Sequence, residues 1–495
     1  MPTRDYPSNQ RQIFGYQAKD RLPQGHICFL IDEVVDDLDL PSAARGQAQV
    51  GAPVYDPRLM LKVLFYGYIR GIRSSRRLAS ECRENIGFMY LCRGATPGFR
   101  TICRFRSENE SLLQSAFSEL IRRLMDAGVV SGRHIIVDGS KVRANASNSR
   151  TIVAEFYAEV KKAIGDWMSA SASLDKEEEI REKLSSAGAG KSGKSRGIDG
   201  LQRLVDKYSE AVKEGESNKA NKVSLTDPES RFMRDGATGK VSLSYNVQAA
   251  VDEETGIMVA CDVTKDPVDN RSLCRLVEKV EENTYEAVEA VDGDSGFFEI
   301  GEIRRLEEDG KDVCVPDGNT VSAMRRRRLS EFIRGDGFDY DAQRDVFLCP
   351  FGNEHIVKRV CVREDGRSFR VYEAVKPCSN CPRREECLGQ SRNRFHKLER
   401  TVEYPWLHEY RQRFLRPGYQ ERVQGRKLIE HNFGHLKHNL GLRRFNLRGL
   451  SGARIEAFLA AFASVMRRVC NILMRTGRDW GTLMRKRRLI PSTSA

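Results

Sequence analysis

The stretch His134-Ile-Ile-Val-Asp138-Gly139 decides the fold. Three branched apolar residues in a row read as a short buried strand, and the run ends in a carboxylate with glycine beside it. The arrangement recurs at Ala287 to Val291, which is followed by Asp292-Gly-Asp294-Ser-Gly-Phe297. Between the two, Val241 to Val251 alternates through Leu243, Tyr245, Val247 and Ala249 and predicts a strand. Gly256 turns the chain into another, Ile257 to Val263. A helix over Asn270 to Glu282, the strand at Ala287, a helix over Glu299 to Asp309 and a strand over Asp312 to Pro316 complete the series. Strand, strand, strand, helix, strand, helix, strand predicts an α/β fold, a mixed sheet flanked by helices.

Outward from this centre the chain changes character. Residues 1–50 read as an N-terminal arm with a short acidic helix around Phe29 to Leu40. Residues 51–130 predict an all-helical domain. Pro57 suits the first turn of one helix, Ser74 or Ser75 caps a second over Arg76 to Asn85, and Thr101 opens a third. A fourth runs over Leu112 to Ala127. Short helices, tight breaks and arginines at helix starts resemble helix-turn-helix architecture, so Arg73, Arg76, Arg77, Arg100, Arg104 and Arg106 are candidate DNA contacts. A solvated basic face is the plainer reading. Residues 131–475 hold the α/β domain. It carries a helical insertion at about 150–225, with a Gly-, Ser- and Lys-rich linker at Gly188 to Gly200, and a small cysteine-rich insertion at about 338–396. A basic tail occupies 476–495.

Lys and Arg number 82 against 69 Asp and Glu in 495 residues, a formal charge of +13. That balance favours a polyanionic partner such as nucleic acid. Met1 to Gln10 lacks the apolar core of a signal peptide, and the longest apolar run, Ala457 to Met466, is too short to span a bilayer. The expected location is the cytoplasm, near the nucleoid, with no membrane partner, and the cysteines there should be reduced.

Phosphoryl transfer on DNA needs an activated oxygen nucleophile and a stabilised leaving oxygen. Divalent ions held by carboxylates supply both, and Mg²⁺ or Mn²⁺ suits such oxygen ligands. Asp138 and Asp294 are candidates because both end apolar strands beside glycine. Asp292 competes with Asp294 but lies closer to the strand body. Glu430 is the third candidate. At helical spacing Arg426, Glu430 and Lys437 share one face, a carboxylate flanked by two cations that could hold phosphates.

Four stretches together make the chain resemble the DDE transposases encoded by bacterial insertion sequences. Tyr55-Asp-Pro-Arg58, Leu61 to Tyr68 and Gly71-Ile-Arg-Ser-Ser-Arg-Arg77-Leu78 look like that family's helical N-terminal domain. Val137-Asp-Gly-Ser-Lys141 with Ala144-Asn-Ala-Ser147 is similar to the segment around its first catalytic aspartate. Asp227-Pro-Glu-Ser-Arg231, Tyr245-Asn-Val-Gln248 and Asp294-Ser-Gly-Phe297 resemble the approach to its second. Arg426, Glu430 and Lys437 match the signature Tyr-x2-Arg-x3-Glu-x6-Lys, with Val423 in place of the tyrosine. The resemblance implies a ribonuclease-H-like fold. It also implies metal-dependent cleavage at element ends, then attack of the freed 3′ hydroxyl on target DNA. Asp138, Asp294 and Glu430 would be catalytic. Double-stranded DNA, as inverted-repeat ends and target, would be the partner, and a dimer on DNA the working form. Alternatives are an inactive DNA-binding relative and a stand-alone nuclease of the same fold.

Cys349, Cys378, Cys381 and Cys387 form a candidate four-thiolate Zn²⁺ set, with Cys361, His355 and His396 in reserve. The surrounding segment has little apolar content, so a metal would explain how it folds. His431, His435 and His438 read as helix-surface or DNA-backbone residues rather than ligands, because the Glu of a zinc-protease helix is missing.

Overall fold

The computed structural model describes residues 18–40, 55–169, 198–236, 238–333, 337–364 and 366–485. Gly188 to Gly197 of the expected linker, most of the expected arm and the last ten residues of the tail lie outside them. The chain forms two compact units, residues 1–289 with 428–495, and residues 290–427.

The first unit begins with α1 (Ile27–Asp37), whose Cys28, Leu30, Ile31, Val34 and Val35 are buried. It packs on α2 (Pro57–Ile69). Residues 27–37 thus belong to the helical domain rather than to an arm. The Asp56 side chain caps α2 by accepting from Arg58 N at 2.7 Å, with Pro57 in the first turn, where its missing N–H costs nothing. Ser74 caps α3 (Ser75–Glu84). Then come α4 (Ile86–Leu91), α5 (Phe99–Glu108) and α6 (Glu110–Asp126). The third expected helix starts at Phe99, two residues before Thr101, because Gly98 supplies the extended N-cap.

Strand β1 (His134–Arg143) is twice the length its apolar run suggests. The polar half, Gly139 to Arg143, is held by the backbone ladder to a long partner strand. β2 (Thr151–Val153), α7 (Tyr157–Ser169), α8 (Ile198–Ser217) and β3 (Lys222–Ser224) form the insertion. It has its own core of Ile152, Val160, Val205, Tyr208, Val212 and Val223. The helical insertion expected from about residue 150 therefore opens with a strand, and its first α-helix starts later. β4 (Arg231–Arg234), β5 (Val241–Asp252) and β6 (Met258–Thr264) follow, and β5 pairs antiparallel with β1, β4 and β6. β5 is buried along nearly its whole length, so its alternation separates two covered faces rather than core from solvent. α9 (Leu273–Thr284) packs on β6.

The second unit opens with β7 (Ala290–Gly293), α10 (Ile300–Glu308) and β8 (Asp312–Cys314), with β7 and β8 parallel. Along the chain β1, β5, β6, α9, β7, α10, β8 is the α/β succession of a ribonuclease-H-like fold. α11 (Gly318–Arg325) and α12 (Leu329–Ile333) lead to an antiparallel sheet of β9 (Asp339–Asp341), β10 (Val346–Leu348), β11 (Glu354–Val362), β12 (Ser368–Ala374) and β13 (Lys397–Thr401). The short helix α13 (Arg384–Leu388) interrupts it. The cysteine-rich insertion thus has a core of its own, Tyr340, Phe347, Tyr372 and Tyr404. Sequence reasoning underrated it because aromatic residues, not aliphatic ones, supply the buried area. α14 (Tyr404–Gln412) and α15 (Pro417–Gly425) close the unit.

The chain re-enters the first unit through α16 (Lys427–Gly434), a π-helical segment His435–Asn439, and α17 (Gly449–Thr476). α18 (Trp480–Arg485) follows. Among the described residues α17 alone is long and apolar enough to cross a membrane, which the ten-residue apolar run did not suggest. Most of its apolar stretch is buried, and it packs on β6, α2 and α6, so it is the unit's central core helix. Its N-terminus is met by two carboxylates from the Asp227-Pro-Glu229 turn. Asp227 accepts from Gly449 N at 3.2 Å and Glu229 from Leu450 N at 2.7 Å, which suits the positive end of a helix.

Glu456, on α17, is fully buried and ion-paired with Arg73. It also accepts from the backbone N–H groups of Asn446 and Leu447, at 2.7 and 2.5 Å. Arg73 in turn donates to the carbonyls of Gly441 and Arg444, at 2.5 and 2.7 Å. Burial lowers the Arg73 pKa, but the carboxylate beside it more than offsets this and holds it above the usual value. Glu456→Ala leaves a buried guanidinium unpaired and should cost about 3–5 kcal/mol in urea unfolding. Arg104→Ala, which removes a surface pair, should cost under about 1 kcal/mol.

In the second unit His355 is 1% exposed, and its Nε2 lies 3.1 Å from His396 Nδ1. Burial first, then the neighbouring His396, lowers its pKa from 6.5 to about 4. Between those values the unfolded chain binds the extra proton and the folded one does not. The stability is therefore complete above pH 6.5 and is lost as pH falls towards 4. The urea midpoint followed by tryptophan fluorescence should drop across that window, and His355→Gln should flatten the dependence.

Candidate functional site

Asp138 stands in the middle of β1, opposite Ala249 of β5, half-buried, and its Oδ1 accepts from Gly139 N at 2.7 Å. On the other face of the strand Asp269 lies over Gly139, where an added Cβ would come within 2.5 Å of its Oδ1. Any larger residue beside Asp138 would push this carboxylate away. Asp269 accepts from Asn246 Nδ2 at 2.5 Å, Gln248 Nε2 at 3.1 Å and Lys141 Nζ at 3.2 Å. Sequence reasoning did not single out Asp269. The signal was present in Asn246 and Gln248, polar residues on a strand that proves buried, since such groups require partners.

Lys437 comes to the same region. Burial lowers its pKa, Asp235 and Asp138 raise it, and Lys141 opposes them. The structure thus brings one expected phosphate-holding cation within electrostatic range of Asp138. It does so by a different route from the one expected. Arg426 ends α15 as its C-cap, α16 starts afresh at Lys427, and Lys437 sits in the π-helical segment. Arg426, Glu430 and Lys437 are therefore not on one continuous α-helix, and a fixed angle per residue does not relate them. Glu430 is exposed on α16. Arg426 Nε donates to the Val423 carbonyl at 3.1 Å.

In the second unit Asp292 is buried and paired with Arg422 at 2.6 Å, while Asp294 is half-buried. Asp294 caps the 3-10 turn Ser295–Phe297, accepting from Gly296 N at 2.8 Å. Asp292 is thus committed to an internal ion pair, which favours Asp294 as the ligand-bearing residue of the two.

The helical-domain arginines divide. Arg106 is 4% exposed and donates to the Arg73 carbonyl at 2.7 Å. Arg73 and Arg106 hold the fold together and are corrected from DNA contacts to structural residues. Arg77 and Arg104 are exposed, and Arg76 lies 5.1 Å over the ring of Phe99.

Among the cysteines, Phe351 N donates to Cys349 Sγ at 3.5 Å and Asn353 Nδ2 to Cys378 Sγ at 3.7 Å. The Cys387 thiol is pushed up by burial, then by Cys349 and Cys381, with Cys378 adding to it. The four predicted cysteines therefore share one neighbourhood. Cys361, on β11, stands opposite Phe369 of β12, and His355 and His396 bond each other. Among the described residues no group of three or more His, Cys, Asp or Glu side chains is set to hold a metal ion, at the thiols or at the carboxylates.

Comparison with known families matches residues 16–108 to a family described as "Transposase domain (DUF772)" and residues 348–470 to one described as "Transposase DDE domain". Glu430, Lys437 and the four cysteines fall within the second match, while Asp138 and Asp294 lie between the two. Curated proteins give no match. A solved structure returned by the fold comparison is a piggyBac transposase synaptic complex with hairpin DNA, 10% identical. The match covers 95% of this chain and 83% of that one at a TM-score of 0.31, too slight to argue from. The two family matches, in this order on one chain, support a DDE-type transposase.

Proposed function

We propose that the protein cleaves DNA at the ends of an insertion sequence and joins those ends to target DNA, with Asp138, Asp294 and Glu430 as the catalytic carboxylates. The observation that carries this is the pairing of transposase family matches with a strand-borne Asp138 that has Lys437 in electrostatic range. Taken one by one, each of the three side chains offers carboxylate oxygens that are not wholly buried, the ligand chemistry that a hard divalent cation takes. When bound, Mg²⁺ or Mn²⁺ would activate the attacking oxygen and stabilise the leaving one. The chain's own part is to place those oxygens and to hold flanking phosphates with Lys437 and Arg426. Arg76, Arg77 and Arg104 would add contacts to double-stranded DNA from the helical domain. A dimer on DNA, working in the cytoplasm, completes the reading, since joining two ends calls for two active sites.

Asp138→Asn should lower the rate of cleavage of end-bearing DNA more than about 100-fold, beyond the loss typical of an outer-sphere partner. Cleavage at the wild-type rate would remove Asp138 from the site. An unaltered protein that releases ends without ever joining them would be a nuclease of this fold, and one that binds DNA without cutting it an inactive relative.

We further propose Zn²⁺ at Cys349, Cys378, Cys381 and Cys387. Their soft thiolate chemistry, together with N–H donors to two of the sulfurs, supports it. Purified protein should then carry about one zinc per chain by elemental analysis. Cys381→Ser should lose it and lower the unfolding midpoint of the second unit. Metal-free wild-type protein of unchanged stability would exclude the site.

A further inference from the structure

We propose that the groove between α16 and α17 binds the phosphate backbone of double-stranded DNA, an inference that rests on the DNA reading above and adds residues that reading does not use. The groove encloses about 940 Å³. Its floor is one face of α17, with Ser464, Arg467, Arg468, Asn471 and Arg475, and its wall is formed by Glu430, His435 and their neighbours.

The arginines are held in place without being neutralised. Arg467 Nη2 donates to the Ile69 carbonyl at 2.7 Å, and Arg468 Nε to the Thr255 carbonyl at 2.8 Å. Gly256 is required here, because a Cβ would meet Arg468 Nη2 at 2.6 Å. Carbonyls fix a guanidinium but leave its charge. Burial, then Arg70, lowers the pKa of Arg467, and burial, then Arg475, lowers that of Arg468. His435 is lowered in the same way by burial, Arg467 and Arg468. Each group thus feels positive neighbours. The groove's two carboxylates, Glu254 and Glu430, are exposed.

Among the described residues the half-buried Arg467 and Arg468 make no ion pair with a carboxylate, which suits them to an anion, and planar guanidinium pairs two phosphate oxygens at once. Arg468 and Arg475 are seven residues apart on a helix, about 10 Å at 1.5 Å per residue. That length spans roughly three phosphates of one strand at 3.4 Å axial spacing. Glu430 also lines the groove, so a strand lying along it would pass one of the carboxylates proposed as catalytic.

The test uses the full chain, a labelled 30-base-pair duplex of arbitrary sequence and fluorescence anisotropy over a salt series. Arg475 is exposed in the last turn of α17, so Arg475→Gln leaves the core intact. It should weaken binding about fivefold and reduce the slope of log affinity against log salt by about one, the share of one phosphate contact. Arg475→Lys should restore the slope. Wild-type affinity and slope in Arg475→Gln would overturn the groove while leaving the DNA reading intact. Failure of the unaltered protein to bind the duplex would overturn both. Binding of a polyglutamate chain in place of the duplex, lost in Arg475→Gln, would assign the groove to an acidic protein instead.

Discussion

The buried Arg73–Glu456 pair is the constraint around which the first unit is arranged. A carboxylate with no exposure on the central helix must be satisfied at every oxygen, and the chain brings three donors to it from two distant stretches. One is the turn after α2. The other is the loop Asn446–Leu447 just before α17. Removing water from these charges is costly, and only a complete donor set offsets it. The turn after α2, the loop before α17 and α17 itself are therefore tied together. Arg106 extends the same arrangement by donating to the Arg73 backbone, so that α5 is tied to it as well.

That constraint explains why the arginines of the helical domain divide as they do. Arg73 and Arg106 occur in a run of basic residues that composition alone assigns to one solvated or DNA-facing surface. Their partners, Glu456 and backbone carbonyls, lie hundreds of residues away or belong to the backbone, which has no sequence signature. Arg77 and Arg104 have only helical neighbours at i+4, so they remain outside. A local pattern can show that a face is basic. It cannot show which of its cations a remote buried acid will claim.

Elements with a local physical cause were legible in the sequence. Pro57 and Ser74 marked helix starts, apolar runs marked β1 and β7, and glycine marked the turn before β6. Their bounds moved where backbone pairing, not side-chain pattern, held the strand, as in the polar half of β1. β4 was missed because Arg231 to Arg234 has no apolar alternation and exists through its ladder to β5. The aromatic core of the cysteine-rich segment was missed for a related reason. Its residues, Tyr340, Phe347, Tyr372 and Tyr404, are spread over sixty positions and meet only once the sheet has formed. Of the candidate site, Asp138 and Glu430 were picked out by an apolar run and a signature, and the structure sets Asp138 within its strand rather than at the end. Asp269 was signalled only indirectly, through the buried Asn246 and Gln248 that it pairs with, and not by its own neighbours along the chain.

The π-helical segment at His435–Asn439 links these observations to function. A wider turn is less favourable than an α-helical one and persists where it sets a side chain that regular geometry would misplace. Here the segment carries His435 and Lys437 two residues apart within one turn and gives them different surroundings. Lys437 is within electrostatic range of Asp138 and Asp235. His435 feels Arg467 and Arg468 and lines the groove on α17. One short stretch therefore serves both the strand-borne carboxylate and the basic groove. A change that restored regular helix there would rotate one of the two away from its neighbours. The segment's value lies in the pair of directions it presents, and the identity of any single residue in it matters less than that division.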